Sequence, residues 1–324
     1  MTSTATRTAA VIGVGLLAAV PLVVVSLSPW GDVGGVLILA TLPVLAVATA
    51  GMRGMLQASA AAVAVTAVAV LLSATGPFLP WLGTALVVLL ALGASPLVST
   101  GRQSTGALLV VLAAYLMASP DSASALFPGL SPLGIAGVLA ALVAASTAWV
   151  TGVLSLALRR VRLPRSEVPA PTLPYTVLLA ALAGLFTWVS LMWFAGTNAW
   201  WSVLTVAVVL QPTGARMRTK LLARAGGTLL GGLIALGLAL WLPAPATAVV
   251  GAIAALATLV IKLMAAPYWL YASVLTVTIV FTTFSPQNAV TGDILRVGIT
   301  LGTALVSAVA AVIAARLFRM RAST

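Results

Sequence analysis

The chain has no cysteine and no histidine. Without thiols it has no disulfide, no thiolate nucleophile and no sulfur ligand for zinc. Without imidazole it lacks the usual general base, the commonest metal ligand and the ordinary sensor of physiological pH. Carboxylates are almost as scarce: Asp32, Asp121, Glu167 and Asp293 are the only four in 324 residues, and they stand singly. A catalytic or metal-binding cluster is not legible in such a set, so neither an enzyme nor a metal or other cofactor is expected. No Gly-rich loop ending in Lys-Ser or Lys-Thr occurs, which excludes a P-loop ATPase within the chain. Charged residues make up 6% of the sequence against 62% hydrophobic. A water-soluble domain cannot build its polar surface from that supply.

The few charges fall in a rhythm. The sixteen cations come in groups at Arg7, Arg53, Arg102, Arg159 to Arg165, Arg216 to Arg224, Lys262, Arg296 and Arg316 to Arg321. With Arg296 set aside, each group is separated from the next by roughly two apolar stretches of bilayer-crossing length. Lys and Arg are retained on the cytoplasmic side of membranes. This pattern predicts an all-α polytopic membrane protein with twelve crossings, both termini inside, and only Arg296 on the outer side. The net charge of +12 reads as topology signals against anionic headgroups of the lipid bilayer, not as a nucleic-acid surface. Crossings are predicted near 9–28, 33–50, 55–74, 79–98, 104–119 and 133–158, then 175–194, 199–212, 221–242, 246–264, 268–284 and 293–316. The first is expected to be a retained helix, since its apolar run ends in Ser-Pro-Trp-Gly without a small-x-small cleavage site.

The longest cytoplasmic connection, 159–174, carries Arg-Arg-Val-Arg and several prolines and is too short to fold alone. It divides the chain into a first six-helix repeat (1–158) and a second (175–324). A shift of 166 positions places Asp32 on Asn198, Pro77 on Pro243 and Ser119-Pro120 on Ser285-Pro286. Six crossings per half is an even number, so the halves are expected to be parallel, related by a pseudo-twofold axis along the membrane normal. Trp30, Trp81, Trp193, Trp200, Trp201 and Trp241 fall near predicted outer helix ends, where indoles form an interfacial belt.

The richest segment runs from Thr197 to Leu242. A short helix begins at Asn198-Ala199-Trp200-Trp201 and ends at Gln211-Pro212. Arg216, Arg218, Lys220 and Arg224 follow, and then a Gly-rich helix. Ala223, Gly227, Gly231 and Ala235 recur every fourth residue, a stripe that lets two helices approach closely. Arg224 lies nearest the apolar helix and is the cation expected to face a permeation path; headgroup contacts are the plainer reading of the four. Arg296 follows Asp293 by three residues, a spacing that allows a local ion pair on a helix or leaves an outer anion site.

The order Trp, Leu-Thr, Val-Leu-Gln-Pro, spaced arginines and Gly-Gly-Thr-Leu-Leu-Gly-Gly resembles the membrane block of the fusaric-acid-resistance and aromatic-acid-exporter family. Tyr268-Trp269 to Leu275-Thr276, and the stretch from Arg296 to Ala304, extend the resemblance over about 197–316. The first half offers only Arg53 at the place corresponding to the four cations. The resemblance implies a transporter in the bacterial cytoplasmic membrane that exports small organic anions, chiefly aromatic carboxylates. Arg216, Arg218, Lys220 and Arg224 would then form a cytoplasmic anion-collecting mouth. Trp201, Asn198 and Gln211 would line the path, with Arg296 a further anion contact and Gln287 and Asn288 further neutral hydrogen-bonding groups. The second, fifth, eighth and eleventh crossings are short or contain or end at proline, the feature that marks binding sites in repeat-built transporters. A homo-oligomer or an accessory efflux subunit are candidate partners. A membrane-embedded enzyme on a lipid substrate, or a non-transporting partner subunit, are the alternatives. No carboxylate is predicted deep within a crossing. An anion leaving the cell gains about 2.3 kcal/mol per charge per 100 mV, so a channel-like path suffices.

Overall fold

In hydrocarbon a backbone satisfies its polar groups only as a helix or a closed barrel, and runs rich in Ala and Leu favour the helix. The computed structural model describes residues 4–26, 28, 30, 33–99, 103–119, 127–158, 173–210, 214–264, 266–283 and 289–322. Among these residues there are twelve α-helices and no strand. They are α1 (Thr4–Ser26), α2 (Gly34–Ala46), α3 (Met52–Ser73), α4 (Leu79–Ser99), α5 (Gln103–Ala118) and α6 (Pro132–Leu158). Then follow α7 (Leu173–Trp193), α8 (Trp201–Val209), α9 (Gly214–Trp241), α10 (Ala244–Leu263), α11 (Tyr268–Thr283) and α12 (Ala289–Ala322). Among the described residues, six stretches are long and apolar enough to cross a membrane, Met52–Ser73, Gly76–Gly93, Pro132–Ala157, Tyr175–Trp193, Met217–Trp241 and Val290–Ala314. This is a multi-pass membrane protein.

Each predicted crossing coincides with a helix, but two boundaries move in a way that matters. α9 starts at Gly214, seven residues before the predicted 221, because Arg, Met and Lys are good helix formers and carry the helix through the cationic segment. Arg224 therefore lies ten residues into α9, about 15 Å along it at 1.5 Å per residue. α12 starts at Ala289 and not at 293, which places Arg296 about 10 Å along its helix by the same rise.

Helix length sorts the molecule. α2, α5, α8 and α11 have 13, 16, 9 and 16 residues, about 14 to 24 Å at that rise, less than a bilayer core of about 30 Å. Three of these short helices are largely buried: every residue of α8 except Val208 is enclosed, most of α5 joins the main hydrophobic cluster, and eight of the thirteen residues of α2 are buried. The long helices stand outside them and present Leu89, Leu133, Leu233 and Leu305 outward.

The packing partners recur between the halves. α3 packs on α5 and α9 on α11; α4 packs on α5 and α10 on α11. α6 lies against α2 and α3, as α12 lies against α8 and α9. Across the halves, α4 runs along α7, α1 touches α10, and Tyr115 of α5 meets Trp200 edge-on at 4.9 Å and 80°.

The small-residue stripe of α9 brings α11 close. A Cβ on Gly227 would stand 2.7 Å from Ala272 Cβ and collide with the Trp269 carbonyl, and one on Gly231 would collide with the Ser273 carbonyl. Of the six tryptophans expected in an interfacial belt, Trp30, Trp81, Trp193 and Trp241 are exposed, whereas Trp200 and Trp201 are buried. Trp201 starts the enclosed helix α8 and Trp200 ends the turn before it, so packing overrides the interfacial preference.

Candidate functional site

Four helices of the second half converge on two arginines. Arg224 of α9 and Arg296 of α12 are both 0% exposed, and their charges act on one another. Removing a charge from water costs several kcal/mol unless partners replace the water. Few partners are present. Arg224 Nη1 donates to Tyr268 Oη at 3.5 Å, a contact at the outer limit of hydrogen bonding. Its Nε and Nη2 have no hydrogen-bond partner among the described residues, and neither do Nε, Nη1 and Nη2 of Arg296.

What surrounds them is aromatic. The Arg296 guanidinium carbon lies 4.9 Å from the ring centroid of Trp201, and Trp201 stacks edge-on against Trp200 at 5.9 Å. Lys220 Nζ stands 4.0 Å from the centre of the Tyr268 ring, and Tyr271 lies beside Tyr268 with ring centroids 5.8 Å apart. A cation over a desolvated aromatic face gains about 2 kcal/mol, which holds the guanidinium without using its N–H groups. The planar donors remain available for a carboxylate.

The helical period explains which predicted cations assemble. Lys220 and Arg224 stand four residues apart and share a face of α9, whereas Arg218 is half a turn away and is exposed. Arg216 lies in the first turn of α9, its side chain outside the described set. Asn198 is at the start of the turn before α8, where its Oδ1 accepts from Trp200 Nε1 at 3.4 Å. It braces the tryptophan pair and is not among the residues around the arginines. Gln211, Gln287, Asn288, Asp32 and Asp121 lie outside the described residues.

Arg296 is buried, not on an outer surface, and of the ion pair with Asp293 that the spacing allows there is an electrostatic interaction but no hydrogen bond among the described residues. Its side chain turns to the Trp201 ring, and Asp293 Oδ1 has no hydrogen-bond partner among the described residues. Sequence reasoning left Tyr268, Tyr271 and Asp293 out of the site. A signal for the first two was there: they stand three residues apart, hence on one face of α11.

A family model described as fusaric acid resistance protein-like matches residues 179–315. Over that stretch the chain is similar to the fusaric acid resistance protein-like family. The match begins within α7, earlier than the motif at Thr197 suggested, and contains Trp201, Arg224, Tyr268, Asp293 and Arg296. No curated protein and no solved structure matches the chain. The fusaric acid resistance protein-like block and the spanning helices together point to a membrane transporter.

Proposed function

We propose that this protein exports small organic anions, chiefly aromatic carboxylates, across the bacterial cytoplasmic membrane, and that Arg224 and Arg296 hold the anion. The observation that carries the reading is the pair of fully buried arginines, five of whose guanidinium nitrogens have no hydrogen-bond partner among the described residues. An entering carboxylate supplies both the counter-charge and the acceptors that these groups lack. The Trp201 and Tyr268 rings, each with a cation over one face, make the surroundings of the carboxylate position aromatic, which favours an aromatic acid over an aliphatic one of equal charge.

Arg216, Arg218 and Lys220 form the cytoplasmic mouth, where cations concentrate anions before they enter. The membrane potential drives a lone anion outward with no further energy source. Around the site, two parallel six-helix repeats with both termini inside account for the recurring helix partners and for the matched short helices. Assembly as a homo-oligomer or with an accessory subunit belongs to the same reading.

The test is efflux of a labelled aromatic acid panel from cells that make the protein. Arg224→Ala should lower efflux at least tenfold while the protein still reaches the membrane. Unchanged efflux in the variant Arg216→Ala/Arg218→Ala/Lys220→Ala would overturn the mouth, and unchanged efflux with Arg224→Ala added would overturn the anion site as well.

A further inference from the structure

A third charged group is buried beside the arginines, and the proposed function does not use it. Asp293 lies one turn before Arg296 on α12, is 4% exposed, and has its Oδ1 without a hydrogen-bond partner among the described residues. The carboxylate sits against Gly232 of α9: a Cβ there would meet Oδ1 at 3.2 Å and Oδ2 at 3.3 Å. The glycine thus leaves room for a buried carboxylate. Arg296 acts on Asp293 electrostatically without donating a hydrogen bond to it.

The other groups facing this region come from the helices packed on α12. α9 brings Arg224, with Lys220 one turn further along; α11 brings Tyr268 and Tyr271; α8 brings the uncharged Trp201. α7 has a single titratable residue, Tyr175, at the end of that helix away from Trp201.

We propose that Asp293 is the internal counter-ion of the anion site, so that proton binding at Asp293 and anion binding at Arg224 and Arg296 favour one another. The inference rests on the arginine pair being the anion site. With Asp293 ionised, an entering carboxylate meets two cations and one like charge. With Asp293 protonated it meets the two cations alone. A like charge about 6 Å away at an effective dielectric near 20 weakens binding roughly 100-fold, and roughly tenfold where water screens it more. Linkage is reciprocal, so each anion bound draws a proton from solvent onto the site. The step moves one proton to the carboxylate and makes or breaks no other covalent bond. The ligand class it defines is a monoanion, bound while Asp293 holds one proton; the proton stays with Asp293 and is not carried with the anion.

The experiment is equilibrium binding to the purified full-length protein, from mildly alkaline to mildly acidic medium. Benzenesulfonate is the probe because it stays ionised throughout, and a dye in weak buffer follows proton uptake. Wild-type protein should bind at least tenfold more tightly in the acidic medium, and should take up as much as one proton per anion at intermediate pH, where free Asp293 is ionised and anion-bound Asp293 is protonated. Asp293→Asn should bind roughly 10- to 100-fold more tightly than wild type at neutral pH, with a flat pH profile and no proton uptake. Asp293→Ser, smaller and also neutral, should behave alike, which guards against a local folding effect of the amide. Wild-type affinity and pH profile in both variants, or weaker binding in both, would overturn the counter-ion role alone, provided that Arg224→Ala/Arg296→Ala abolishes binding. Undiminished binding in that double variant would overturn the anion site and the counter-ion role together.

Discussion

Trp201 illustrates how a single residue serves two purposes at the site. It is fully buried at the head of α8 and carries the Arg296 guanidinium on its face. Truncating a buried indole removes packing and leaves a cavity, a loss of about 3–5 kcal/mol. Trp201→Ala should therefore melt well below wild type in detergent. Trp201→Phe keeps an aromatic face and most of the volume, so its melting temperature should fall much less. Equal losses in the two variants would mean that volume and aromatic face are not what hold Arg296. The sequence placed Trp201 in an interfacial belt on its distance from a loop. Only the enclosure of α8 by its neighbours moves it inside, and that enclosure is a tertiary fact with no local signal.

At the scale of the element, α9 carries both the site and its closest packing. Gly227 and Gly231 lie against the backbone of α11, whereas a Cβ on Gly226 or Gly237 of the same helix would meet nothing within 4 Å. Adding a methyl group where backbone blocks it forces the helices apart at about 1–3 kcal/mol. Gly227→Ala and Gly231→Ala should each lower thermal stability by that order and weaken anion binding, because α11 carries Tyr268. Gly226→Ala and Gly237→Ala should match wild type or exceed it slightly, since alanine favours the helix. The stripe itself was legible from its four-residue spacing. The start of α9 was not: charge was read as the end of the membrane segment, yet Arg and Lys continue a helix without difficulty, and that continuation carries Arg224 inward.

For the whole molecule, twelve apolar stretches, their order and the short second, fifth, eighth and eleventh helices could all be read from hydropathy, proline and charge. That reading succeeds because lipid leaves a backbone so few options. The meeting of Arg224 with Arg296 could not be read, because the two residues lie 72 positions apart and were assigned to opposite sides. The absence of cysteine makes topology directly testable. Single cysteines introduced at Ser166 and at Thr75 should react with a membrane-impermeant thiol reagent from opposite sides, Ser166 from the cytoplasm and Thr75 from outside. Labelling of both from one side would contradict the proposed six-plus-six arrangement.

The central claim is that two buried arginines form the anion site, and one binding titration tests it most directly. Purified wild-type protein and the variant Arg224→Ala/Arg296→Ala are titrated with benzoate, with retained helicity and melting behaviour as controls. The account predicts saturable binding to wild type and at least a hundredfold loss in the variant while the fold persists. Equal affinity in the two proteins would contradict it.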